Sequence, residues 1–114
     1  MTFDAPEERR EAPRRLFRRP VSLVLPGNQL VDARTLDISA SGLAIVLAAN
    51  PPVGMACGIR LTLPPREAGP VQIEPRVKVE HSRWSAADHG FKVGLRFQAL
   101  SAEQQRAIRE FVEG

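Results

Sequence analysis

Apolar and polar residues alternate over much of this chain, and the period of the alternation changes once, near the C-terminus. Val71, Ile73, Val77 and Val79 interleave with Gln72, Glu74, Arg76, Lys78 and Glu80, which predicts a long strand over 71–80 with one apolar face. Pro75 lacks an amide donor and predicts an edge or a bulge within that strand. Phe91, Val93, Leu95 and Phe97 face one way and Lys92, Arg96 and Gln98 the other, after a loop holding Asp88-His89-Gly90. These two stretches predict long, adjacent antiparallel strands. Shorter apolar segments at 21–25, 29–38, 43–48 and 56–63 are set apart by Pro26-Gly27-Asn28, Pro51-Pro52 and Pro64-Pro65, the punctuation of an antiparallel sandwich or barrel. Beyond residue 100 the spacing becomes helical: Ala107, Ile108, Phe111 and Val112 form one stripe, and Ser101 and Gln104 stand at capping-box spacing. Six strands and one amphipathic helix account for the chain, with no internal repeat.

A chain of 114 residues, 43% hydrophobic and 25% charged, is large enough to fold around one core. Residues 1–12 are polar, contain Pro6 and lack an apolar period, so they are expected to be a flexible N-terminal tail, with 13–114 forming a single domain. Cys57 is the sole cysteine, which excludes an intrachain disulfide; it is expected in the core, and a reducing cytoplasm fits. No apolar run approaches the roughly 20 residues that span a bilayer, and no signal-peptide core is present, so a cytoplasmic location without membrane insertion is expected.

The formal charge is +3, yet the basic residues comprise 14 arginines and 2 lysines. Guanidinium groups offer a planar fork to phosphates and a flat face to bases, which ammonium groups do not. Six arginines fall between positions 9 and 19: Arg9, Arg10, Arg14, Arg15, Arg18 and Arg19. Arg14 and Arg18 are four apart, as are Arg15 and Arg19, and Leu16 and Phe17 are expected to anchor the segment to the core. Alone, such a run reads as a solvated tail or as an attractor of polyanions by charge. A second cluster, Asp37-Ile38-Ser39-Ala40-Ser41-Gly42, reads by itself as a tight turn, in which Asp and Ser bond to nearby backbone and Gly supplies a positive φ.

Taken together, an RxxxR entering the first strand and a DxSxxG about twenty residues later resemble the motifs of the PilZ domain family. The later segments PRVKVEHSRW and FKVGLRF and the C-terminal helix follow the order of that family. The resemblance implies an all-β fold: a six-stranded antiparallel barrel with a C-terminal helix and a flexible N-terminal arm. It also implies a cyclic di-GMP-binding effector that couples the second messenger to an unidentified protein partner as its arginine segment orders around the ligand. Carried onto this chain, the ligand-binding residues are Arg14, Arg15, Arg18, Asp37, Ser39 and Gly42, with Arg19 and Trp84 as secondary candidates. The chemistry suits these types: the ligand is a dianion with two guanines, arginine can fork onto guanine O6 and N7, and a carboxylate can accept from guanine N1 and N2.

Other chemistry finds no support. His81 and His89 are far apart in sequence and Cys57 lies in an apolar segment, so no metal site is expected. Ser39, His89 and Asp88 lack the setting of a nucleophile elbow, and neither GxxxxGK[ST] nor GxGxxG occurs. The expectation is a protein that is not an enzyme and has no cofactor. The competing reading is a basic barrel that binds nucleic acid or a protein partner independently of cyclic di-GMP. With five Phe and one Trp, the chain lacks the interleaved aromatics of a base-stacking platform, so DNA is not expected as a partner.

Overall fold

A computed structural model describes residues 13–66 and 69–114; the tail expected over 1–12 lies outside the described residues. Strands run β1 (Arg14–Leu16), β2 (Pro20–Leu25), β3 (Gln29–Ser39), β4 (Gly42–Leu47), β5 (Ala56–Arg66), β6 (Gly69–Ile73), β7 (Arg76–Ser85) and β8 (Gly90–Phe97), followed by helix α1 (Ala102–Glu113). Neighbours pair in the order β3-β2-β5-β7-β8-β4, and β4 pairs back to β3, which closes a six-stranded antiparallel barrel. The remaining two strands are appendages, β1 on β3 and β6 on β5.

Alternation puts Leu43, Ile45, Val77, Val79, Val93 and Leu95 inside the barrel, and α1 covers one opening with Ile108 and Phe111. The predicted capping box is present: Ser101 Oγ accepts from the Gln104 amide at 3.1 Å, and Gln104 Oε1 accepts from the Ser101 amide at 3.0 Å. Cys57 is a fully buried core residue, as expected. Burial pushes its thiol pKa up from the ordinary value, against the lowering effect of the Arg76 charge.

Three details differ from the sequence expectation. The single strand over 71–80 is two strands, broken at Glu74-Pro75: β6 folds back on β5, while β7 crosses to β8. Pro75 is fully buried at this break, and its carbonyl accepts from the Ile59 amide at 3.1 Å. Pro64-Pro65 fall inside β5, where the β5–β6 register shifts between Leu63 and Arg66; the irregularity accommodates residues without amide donors. Of the two expected anchors, Phe17 is 3% exposed and packs edge-to-face on Phe111 at 5.2 Å, whereas Leu16 is 72% exposed. Leu16 pairs with Asp37 and therefore shares its outer face.

Candidate functional site

β1 and β2 lie end to end along one edge of β3, while β4 follows the other edge. Because Ile38 points into the core, its partner Arg15 faces inward, and Arg14 and Leu16 face out. The two sequence motifs are thus neighbours in one sheet. Arg14, the first arginine of RxxxR, sits opposite Ser39, the serine of DxSxxG. Arg14 Nη1 donates to Asp37 Oδ1 at 2.5 Å. With the two side chains 45% and 24% exposed, such a pair contributes at most about 1 kcal/mol. It orients both groups and still yields to a stronger ligand.

Ser39 is fully buried and organises the turn between β3 and β4: its Oγ accepts from the Ser41 amide at 3.2 Å and lies 3.3 Å from the Gly42 carbonyl. Gly42 does not have the positive φ expected of a turn glycine; among the described residues those glycines are Gly27, Gly54 and Gly69. Gly42 is required for another reason. A β-carbon there would collide with the Leu95 carbonyl of β8, because the two backbones pass too closely for a side chain.

The other arginines diverge. Arg15 turns away from Asp37: its guanidinium donates to the Phe111 carbonyl at 2.5 Å and lies 4.3 Å over the Phe111 ring. Arg18 is exposed, and among the described residues its side chain has no hydrogen-bond or ion-pair partner. Arg19 is exposed and is held through its backbone, its amide donating to Thr35 Oγ1 at 3.0 Å and its carbonyl accepting from the Thr35 amide at 2.8 Å. Trp84 stands apart, 59% exposed and edge-to-face with Phe91 at 5.3 Å. Phe91 pairs with Leu47, three residues along β4 from Ala44, the partner of Asp37.

Two elements of this face are not evident in the sequence. Thr35 is fully buried, and its hydroxyl donates to the Phe17 carbonyl while accepting from Arg19, so it clamps the backbone on both sides of Arg18. In the sequence it is one more strand threonine. Leu36, Ala44 and Val46 form a small apolar cluster on the outside of the barrel, next to Asp37. Leu36 is at the register shift between Thr35 and Asp37, which turns an extra side chain onto this face, and no sequence period marks such a bulge. Among the described residues no group of three His, Cys, Asp or Glu side chains could hold a metal ion, and no helix is long and apolar enough to cross a membrane.

The family profile described as PilZ domain matches residues 8–114. Among solved structures, the chain is similar to the Bacillus subtilis inhibitor of motility (MotI/DgrA), with 22% identity and a TM-score of 0.80, over 90% of this chain and 49% of that one. The chain therefore spans about half the length of that protein. It is also similar to the PilZ domain of YcgR from Escherichia coli, a structure with c-di-GMP, at 16% identity and a TM-score of 0.66, over 92% and 89% of the two chains. A tetrameric PilZ protein from Xanthomonas campestris matches at 19% identity and a TM-score of 0.55, over 74% and 44%. At these identities the likeness speaks for the fold. No curated protein matches the chain.

Proposed function

The chain belongs to the PilZ domain family, and on that premise we propose that it is a non-enzymatic effector domain that binds cyclic di-GMP on the outer face of β3 and transmits occupancy to a protein partner. The observation that carries this reading is the Arg14–Asp37 pair at 2.5 Å. It sets a guanidinium donor fork beside a carboxylate acceptor, and guanine presents the complement, O6 and N7 acceptors beside N1 and N2 donors. On binding, the ligand replaces each residue as the other's partner. Charge-assisted contacts to a dianion and a base outcompete one half-exposed ion pair.

In this reading Arg18, already directed to solvent, takes a phosphate, and Arg19 adds field. Ser39 and Gly42 shape the turn against which the base rests, and Trp84 is at most a secondary contact. Arg15 supplies the coupling: moving its guanidinium to the ligand strips a cation and a hydrogen-bond donor from the C-terminal end of α1, where both are favourable. The arginine segment tightens around the dianion and the helix loosens, which changes the surface offered to a partner. This is a switch only if ligand binds the rearranged state better, and the arginine contacts supply that difference.

Calorimetric titration with cyclic di-GMP at physiological salt tests the proposal, with GTP and Arg14→Ala as controls. Saturable binding that is absent with GTP and lost in the variant supports it. Absence of heat at high ligand concentration overturns it and leaves the fold and family untouched.

A further inference from the structure

The binding face extends beyond the two motifs. Residue pairing carries one rung straight across four strands, from Asp37 on β3 to Ala44 on β4, Gly94 on β8 and His81 on β7. All four face outward: Leu43, Ile45, Val93 and Leu95, the residues flanking the middle pair, fill the core. The imidazole of His81 does not extend into solvent along its own strand. It lies over Gly94, where a β-carbon would run into Nε2, Cε1 and Cδ2 of the ring, none of them farther than 2.9 Å away. The ring therefore occupies the space a side chain at 94 would need, one strand closer to Asp37 than its own backbone. Between the carboxylate and the imidazole, the rung carries the Ala44 methyl, packed against Leu36 and Val46 in a small apolar floor. At about 4.8 Å per strand, Asp37 and Gly94 are about 10 Å apart, a span that a purine can bridge.

The adjacent rung adds charge of one sign: Arg34, Val46, Lys92 and Arg83 are paired in succession across the same four strands. Even positions 92, 94 and 96 of β8 share the outer face, so Lys92 borders the floor beside Gly94. An anionic ligand that places one base against Arg14 and Asp37 would meet a flat ring and cations at the far end of the rung.

We propose that His81, seated over Gly94, is a ligand-positioning residue that forms the second wall of the cyclic di-GMP site and packs its flat face against a guanine. This rests on the proposed function above and adds a residue that neither motif contains. His81 is exposed and has no hydrogen bond to the barrel among the described contacts, so its removal should leave folding intact.

The test is titration of wild type, His81→Ala, His81→Phe and Gly94→Ala with cyclic di-GMP, with melting temperatures measured in parallel. Loss of a base-stacking contact weakens His81→Ala by about tenfold, whereas His81→Phe, which keeps a flat ring, stays within about threefold of wild type. Gly94→Ala tips the ring off its seat and follows His81→Ala. Melting temperatures of the two His81 variants stay at the wild-type value. If His81→Ala binds within about twofold of wild type while Arg14→Ala abolishes binding, His81 is not a wall of the site and the proposed function stands. If His81→Phe is as weak as His81→Ala, the stacking role is overturned. If wild type itself shows no saturable binding, the proposed function fails and this inference with it.

Discussion

The guanidinium of Arg15 lies 4.3 Å over the ring of Phe111 and donates to the carbonyl of the same residue at 2.5 Å. One side chain from the arginine-rich segment thereby fastens the last turn of α1, which in turn packs Phe111 on Phe17, the buried anchor of that segment. The segment and the helix are therefore mutually supporting.

Replacing Arg15 by Ala removes an exposed cation–π contact and a charge-assisted hydrogen bond, together about 1–2 kcal/mol. For a domain of this size that lowers the melting temperature by several degrees. Amide exchange in α1 should rise in the variant. In wild type the same amides should lose protection when cyclic di-GMP is added. Helix exchange that ligand leaves unchanged would rule out Arg15 as the link to the helix.

Asp37→Ala separates guanine readout from simple attraction of anions, because the two mechanisms give opposite signs. If Asp37 accepts from guanine, its loss weakens cyclic di-GMP binding by at least about tenfold, the cost of leaving ligand donors unpaired. If the face only collects anions, removing a negative charge beside Arg14 strengthens binding, and affinity falls steeply with salt. Titration of the variant at two ionic strengths decides the sign.

Much of this was legible in the chain. Strict alternation over 91–97 and the helical stripe from Ala107 to Val112 led directly to β8 and α1, since each element buries one continuous face. The arginine and DxSxxG clusters come together in the fold because they sit at strand termini that the topology joins. β1 was not legible: it has three exposed residues and no apolar period, and it is a strand only because β3 offers it an edge. Nor was the inward turn of Arg15, which is set by pairing with Ile38, nor the reason for Gly42. That glycine reads as a turn residue in sequence, while the constraint on it comes from Leu95, a distant strand.

Gly42→Ala should therefore be severe. The colliding atom is a backbone oxygen in a paired strand, which cannot yield as a flexible side-chain end can, so β4 and β8 must part at this point. A loss of at least about 2–3 kcal/mol is expected. Gly58→Ala is the control, since a β-carbon there meets Val24 Cβ at an ordinary 3.5 Å, and about 1 kcal/mol or less should be lost. Urea midpoints of the two variants measure this; equal midpoints would mean that the contact at Leu95 relaxes freely.

Cys57 gives the fold a dependence on alkaline pH whose sign can be fixed in advance. Its folded pKa is raised by burial above the unfolded value, so the native state holds the thiol proton over a range in which the unfolded chain has lost it. The resulting stability is fully present below the unfolded pKa of about 8.5 and is lost as pH rises through the folded value. Urea midpoints should be level from neutrality to about pH 8 for this group and fall above that. The comparison that isolates the thiol is with Cys57→Ala: less stable at neutral pH because of the cavity, but with a shallower alkaline decline. The same burial predicts that Cys57 reacts with a thiol reagent only after unfolding. Matching alkaline slopes in wild type and variant, or a fast thiol reaction in the native state, would mean that the space between β5 and β7 opens to water without global unfolding.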